Sequence, residues 1–486
     1  MTPCCTIPLL AALFLTTQVL RAAFVPDFKI RPDDYTVFMA VDAKVSYGLT
    51  PFQPGGHGKF FLRGWRRPAQ QAEWRASAAE AGEYAVQVLI HRNSGPELRL
   101  EVTVAGRQLT GTLPADVRRW QRIALPGTLA IPAGESVVRL RLIPADGSSA
   151  FDAEVHALEF VRPAVRAELH QRALALRADT AWFQQARYGM MVHWTSQSMP
   201  RTGEPKPYNQ AVADFNVEAF ADQIEQTGAG FVVLTTSHAF QYFPAPLASL
   251  EKILPGRTSK RDLVADLADT LGKRGIKLML YYHLGAADDE AWMKASGFWE
   301  TDTSKFFGNW QSIIAEAGLR YRDKLAGWWF DDGSVNYYYR SAPWEELARA
   351  AKAGFPQRLV GFNAWELNNP SEFHDFFTGE GFQDPRGYDE LLTPACNGRY
   401  PSGTHAGLQA SACLIAESTW VHTRRDASPA PPAWNAQQLA DMLNGFLAHK
   451  NVPIFNLEIT QDGQLSPETV GVFQQAAAKL PPRRLP

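Results

Sequence analysis

Two different rhythms of apolar and polar residues divide the chain. From about Phe28 to Pro163 the apolar positions alternate in short runs broken by turn residues: "GEYAVQVLIHR", "ELRLEVTVAG", "WQRIALPG", "ESVVRLRLIP" and "AEVHALEFVRP". In the first run Val86, Val88 and Ile90 point one way while Gln87 and Leu89 point the other, the period of two that belongs to a half-buried strand. Such runs at close spacing predict an all-β antiparallel sandwich over residues 28–163.

The charged stretch "RPAVRAELHQRALALRADTAWFQQA" then reads as a helical linker, 164–181. From 182 to 486 the rhythm changes to near-continuous apolar runs: "YGMMVHW" (188–194), "FVVLTT" (231–236), "IKLMLYY" (276–282), "LAGWWFD" (325–331), "RLVGFN" (358–363), "DFFTGE" (375–380), "ACLIAES" (412–418) and "VPIFNLEI" (452–459). Runs of this kind are strands covered on both faces, as in a parallel sheet. Helical stretches separate most of them. "SKRDLVADLADTLGKRG" places Ser259 as N-cap, Val264, Leu267 and Leu271 on one face, and Gly275 as the stop before the next strand. "PWEELARAAKAG" and "AQQLADMLNGFLAHK" behave similarly, while the fifth and sixth strands are joined by a loop. The fold class expected is therefore α/β, a TIM-type (β/α)8 barrel preceded by the antiparallel sandwich.

In such a barrel the chemistry sits at the C-terminal strand ends. Those ends offer His193 and Trp194, Ser237 and His238, Tyr281 and His283, Trp329 and Asp331, Asn363, Glu380, Glu417 and Trp420, and Asn456, in strand order. A lone His is ordinarily structural, but three at successive strand ends point to one polar site. A glycosidase needs two carboxyl groups flanking the scissile bond, and strand ends across a barrel supply such a pair. In "WWFDD", Trp329 and Asp331 share one face of the strand and Phe330 and Asp332 the other. Only Asp331 shares the face of Trp329; Asp332 is expected to cap the turn into "GSVNYYY", whose tyrosines would line the pocket rim.

The blocks from Trp182 to Leu465 resemble glycoside hydrolase family 29, the retaining α-L-fucosidases. "WFQQARYGMMVHW" is similar to the family's "WFxxxKFGxFxHWG", "FNVEAFADQIEQTGAGFVVLTTSH" to "FxxxxWaxlxkxAGAkYvvlTxKHHDGF", and "RDLVADLADTLGKRGIKLMLYYH" to "RDLVxxlxxaxrkxGLkfGlYYS". "WWFD", "DFFTGE" and "PIFNLEITQDGQL" are similar to its "lWxD", "DFxTxE" and "NLLLNxGPxxDGxI". The resemblance implies Asp331 as nucleophile and Glu380 as general acid/base, with His193, His238 and Tyr281 against sugar hydroxyls and Trp329 shaping the pocket floor. Trp194, His283 and Trp420 complete the substrate-binding candidates from their strand-end positions. The mechanism implied is double displacement with no cofactor or metal, and Phe376, Phe377 and Phe382 would desolvate Glu380 and raise its pKa. Residues 28–163 resemble the carbohydrate-binding sandwiches attached to secreted glycosidases. Departures exist: Ala239, Phe240 and Gln241 replace the second His and the acidic and Gly positions of "HHDGF", Trp365 replaces the Arg of "NDR", and the sandwich lies before the barrel. They widen the expected substrate from terminal α-L-fucosides to a related deoxy or L-configured sugar. Two other readings are a catalytically inactive carbohydrate-binding barrel and a metal-dependent hydrolase using His193, His238, His283 and Asp331.

Composition narrows the partners. A net charge of -2 across 486 residues gives no electrostatic reason to bind nucleic acid or an anionic membrane. An oligosaccharide or polysaccharide suits the 14 Trp, 14 Tyr and 28 Phe; the composition leaves the oligomeric state open. The N-terminus carries an apolar run from Ile7 to Leu20 followed by Ala22 and Ala23, which predicts a signal peptide over 1–23 and a secreted or periplasmic protein, with an uncleaved apolar N-terminus as the alternative. Removing the signal removes Cys4 and Cys5. Cys396 and Cys413 then form either one disulfide or two buried thiols.

Overall fold

The computed structural model describes residues 28–52, 60–115, 120–148, 151–285, 288–331, 334–365, 370–380, 397–400 and 406–481. The expected signal segment, Asp332, Phe382 and Cys396 lie outside these. The chain is mixed α/β and divides into two compact units. One contains the residues up to His170 together with Gly297–Phe306 and Asp332–Ala342; the other contains Gln171–Ser296, Phe307–Asp331 and Pro343–Pro486.

The first unit is β-rich. Its two sheets run in the order Lys29–Ile30, Gln71–Ala78, Gly134–Pro144, Leu98–Val104, Arg107–Leu113, and Gln121–Ala124, Gly82–Ser94, Asp152–Val161, Phe61–Trp65, Thr50–Phe52. Pairing is antiparallel except between Lys29–Ile30 and Gln71–Ala78. One buried cluster draws on both sheets, with Trp74, Leu100, Val102 and Leu140 from the first and Trp65, Val86, Val88, Ile90 and Phe160 from the second. The alternation read from the sequence explains that face, but the opposite face of Gly82–Ser94 is buried too, at Gln87 and Leu89. Arg122 stands opposite Leu89 and Glu159 opposite Gln87, so all four share that face. Arg122 donates to Glu159 at 2.7 and 3.0 Å and to the Tyr338 hydroxyl at 3.4 Å. Tyr338 sets its ring edge to face with His156 at 4.9 Å, and Tyr339 packs on Phe60 at 5.5 Å. The tyrosines of "GSVNYYY" are thus buried in this unit rather than placed at a pocket rim.

The second unit is organised by one parallel sheet in the order Leu359–Phe362, Leu325–Asp331, Lys277–His283, Phe231–Thr235, Gly189–Val192, Val452–Leu457, Ser411–Ile415. Every position of Phe231–Thr235, Leu325–Asp331 and Val452–Leu457 is buried, as expected for strands covered on both sides. The helix Leu263–Lys273 follows the apolar spacing read for it, but Asp262 rather than Ser259 is its N-cap, accepting from Ala265 N at 2.9 Å. Ser259 donates to Arg261 O at 2.6 Å instead. A carboxylate one residue before the helix both accepts an orphan N–H and suits the positive end of the helix dipole. Gly275, at φ 68°, supplies the left-handed stop.

The sixth expected strand, 375–380, is a single bridge, Phe376 to Gln409, flanked by main-chain hydrogen bonds to both edges of the sheet. Asp375 N donates to Val360 O at 2.9 Å, Phe377 N to Gln409 O at 3.0 Å and Cys413 N to Gly379 O at 3.2 Å. The Asp375 carboxylate anchors the segment by accepting from Lys352 Nζ at 2.7 Å, Val360 N at 2.8 Å and Ala178 N at 2.7 Å. Cys413 is a buried free thiol. Among the described residues no helix is long and apolar enough to cross a membrane.

Candidate active site

Strand alternation builds the site. Met191, Val233, Tyr281, Trp329, Phe376, Cys413 and Ile454 belong to one buried cluster in the second unit. Phe330 goes to the other side of its strand, against Trp310 at 5.1 Å and Phe362 at 5.2 Å. Asp331 is therefore carried on the same side as Trp329, two residues nearer the strand end. In the parallel register it lies beside His283, and Trp329 beside Tyr281.

Both oxygens of Asp331 accept hydrogen bonds, Oδ2 from the Tyr281 hydroxyl at 2.5 Å and Oδ1 from Asn363 Nδ2 at 2.8 Å. The same Nδ2 donates to Glu380 Oε2. Asn363 can serve both carboxylates because its own oxygen is held from the other side. Oδ1 accepts from Thr378 Oγ1 at 2.9 Å and from Trp365 N at 3.3 Å, the latter an Asx-type turn onto the backbone two residues on. Trp365 adopts φ 53° to make that turn, a left-handed conformation costly for a bulky residue. Cys413 lies near both acids, and its thiol is pushed well up by burial, then by Glu380 and Asp331.

A histidine and aromatic group adjoins the acids. His193 meets Tyr281, His238 and Trp420 at ring distances of 4.9, 5.4 and 5.4 Å, and His238 meets His283 at 5.5 Å. His193 Nδ1 lies 2.6 Å from Asn456 Oδ1. Asn456 Nδ2 donates to the carbonyls of Thr419 and Trp420 at 3.1 and 3.2 Å, so its oxygen must accept and His193 must carry its proton on Nδ1. Burial, followed by His238, pushes His193 down to about 3, so the ring is neutral at working pH and Nε2 is an acceptor for a ligand hydroxyl.

A family model described as Alpha-L-fucosidase matches residues 206–478, more than half of the chain. The chain belongs to the alpha-L-fucosidase family. Human tissue alpha-L-fucosidase is 28% identical to this fucosidase-family chain over 194 residues, 33% of this chain and 39% of the relative. The bovine enzyme is 30% identical over 147 residues, 23% and 31%. The chain thus spans about two fifths or less of the length of these curated relatives. Among solved structures, an alpha-L-fucosidase from Bacteroides thetaiotaomicron aligns at TM-score 0.45 and 14% identity, over 62% of this chain and 74% of that one. An endo-fucoidan hydrolase of glycoside hydrolase family 107 aligns at 0.48 and 15%, over 64% and 53%.

Of the residues singled out in the fucosidase-family sequence, Asp331, Glu380, Tyr281, His193, His238, His283 and Trp420 are linked by contacts, with Trp329 buried against Phe376 at 6.2 Å. Trp194 stands apart. Its indole N–H donates to Gln461 O at 2.9 Å, and its ring packs on Phe215 and Tyr208 at 5.2 and 5.9 Å, because residues next to each other on a strand face opposite ways. Asn363 and Asn456, named above at the strand ends but given no role there, bind the key side chains. At the departure from "HHDGF", Gln241 is buried and donates to the carbonyls of His283 and Leu284 at 2.5 and 3.3 Å, a structural bracket. Among the described residues no group of three or more His, Cys, Asp or Glu is arranged to hold a metal ion.

Proposed function

We propose that the chain is a secreted exo-acting glycosidase that hydrolyses terminal α-L-fucosides, or a related deoxy or L-configured sugar, with retention of configuration. The observation that carries this reading is the single amide nitrogen between Asp331 Oδ1 and Glu380 Oε2. Two hydrogen bonds sharing one donor atom hold the two oxygens within ~6 Å. That suits the ~5–5.5 Å carboxyl separation of retaining enzymes better than the ~6.5–9.5 Å of inverting ones. Asp331, doubly hydrogen bonded, attacks the anomeric carbon as the carboxylate while Glu380 gives a proton to the leaving oxygen. Glu380 then takes a proton from the water that releases the sugar. Neutral His193, with His238, His283 and Trp420, receives the sugar hydroxyls and a ring face.

The parallel sheet is read as an eight-stranded barrel closed by residues 375–379, supported by their hydrogen bonds to both sheet edges. The β-rich unit is read as a carbohydrate-binding sandwich. Aryl glycosides screened with NMR of the first-formed anomer test the activity. The expected result is α-L-fucoside turnover with the α-anomer released first, and at least a ~10³-fold loss in Asp331→Ala. First release of the β-anomer, or undiminished activity of Asp331→Ala, would overturn the mechanism. Binding of fucosides without turnover would favour the inactive carbohydrate-binding reading.

A further inference from the structure

We infer that Asn363 is a positioning residue that fixes which oxygen of Glu380 carries the catalytic proton; this rests on the proposed glycosidase reading. The Asn363 amide cannot rotate without losing two bonds. Thr378 Oγ1 and Trp365 N both donate to its oxygen, and the side chain is fully buried. Its two N–H groups are therefore committed in opposite duties, one to Asp331 Oδ1 and one to Glu380 Oε2.

The consequence differs for the two acids. Asp331 has its remaining oxygen bound by the Tyr281 hydroxyl, so both of its oxygens are already engaged as acceptors. Glu380 has Oε2 engaged as an acceptor. The amide N–H takes one lone pair of Oε2 and makes that oxygen the poorer proton site, so the protonated acid carries its hydrogen on Oε1. One fixed amide thus separates the roles of two neighbouring carboxyl groups, keeping one as nucleophile and presenting the other's proton from a single oxygen. Titratable groups close to Glu380 include Asp331, which shares the Asn363 amide with it, and the Cys413 thiol. Both are acidic, and the Asn363 amide donates to the Glu380 carboxylate against their effect.

In Asn363→Ala, Glu380 loses a donor to its ionised form, and its proton is free to occupy either oxygen. The basic limb of the pH profile of kcat/KM is expected to move up by about one pH unit. The rate loss is expected to be ~10-fold or more greater for a poor aryl leaving group than for 2,4-dinitrophenol, since only the former needs the proton. Thr378→Val, which releases one tether of the amide, is expected to move the limb the same way by less. An unmoved limb, with equal losses across leaving groups, would leave Asn363 a structural residue and overturn the inference. Should the wild-type chain turn over no glycoside, the function fails while the inference is still decided. Carbon-13 NMR of the intact chain labelled at Glu side chains, assigned with Glu380→Gln, must show Glu380 titrating higher in Asn363→Ala than in wild type, and equal titration overturns it.

Discussion

At the scale of single residues the site works through amides and hydroxyls as much as through charges. Tyr281 spans two layers, its ring in the buried cluster of the second unit and its hydroxyl on Asp331 at 2.5 Å. Tyr281→Phe removes a hydrogen bond to a charged acceptor, worth about 1.5–3 kcal/mol. A fall in kcat/KM of ~10–100-fold is expected, with secondary structure unchanged by circular dichroism; a loss below twofold would place Tyr281 outside the reaction. The identity of the acids was legible from strand alternation, because facing is a local property: Trp329 and Asp331 go together and Phe330 goes the other way. The positions of Asn363 and Asn456 were legible as strand ends, but their roles were not. An amide acquires its function only from partners far along the chain, 32 residues away at Asp331 and 263 away at His193. The three tyrosines after Asp331 misled for the same reason, since their neighbours Arg122, His156 and Phe60 come from the first third of the sequence.

Helices and strands announce themselves by period, but their ends depend on which of several polar residues wins. Ser259 and Asp262 both precede the helix Leu263–Lys273, and only Asp262 bonds its first turn, while also accepting from Tyr321 Oη at 2.9 Å. Asp262→Ala should cost about 1–2 kcal/mol in urea unfolding. Ser259→Ala should cost less, and the reverse order would restore Ser259 as the cap. The segment 375–380 was read as a strand from its apolar run, yet it makes one bridge, and side-chain anchoring carries much of its order. Burial pushes Asp375 up and Lys352 down against their mutual attraction, so the pair is costly to split. Asp375→Asn leaves the Lys352 ammonium buried without its counter-charge, and a loss of about 3–5 kcal/mol is expected. Because Glu380 follows five residues later, activity should fall more steeply with temperature than in wild type; an unchanged melting temperature would show that the anchor is dispensable.

Across the whole chain, the change of rhythm near residue 163 marked two architectures, and the structure has a β-rich unit and a unit built on a parallel sheet. What periodicity could not foresee is that Gly297–Phe306 and Asp332–Ala342 belong to the first unit, because insertions between strands carry no periodic signal of their destination. The two units also differ in their buried acids and bases. In the first, His156 is fully buried and pushed down to about 3 by burial. The unfolded chain protonates such a ring near pH 6.5 and the folded unit does not, so the unfolded state binds the extra proton. Stability of that unit therefore falls as pH drops below 6.5, by ~1.4 kcal/mol per pH unit. In the second unit His193 acts in the same direction, but Glu417 acts against it. Burial raises Glu417 from 4.5 to about 7, so the folded state holds the extra proton between those values and gains stability as pH falls through them. The two slopes cancel. Between pH 6.5 and 4.5 the first unit is expected to lose ~2 kcal/mol while the second stays level. Hydrogen exchange of core amides, read separately at Val86–Ile90 and at Val232–Leu234, measures both. His156→Gln should flatten the first unit's response. Parallel acid losses in the two units would mean that Glu417 does not hold its proton in the folded chain.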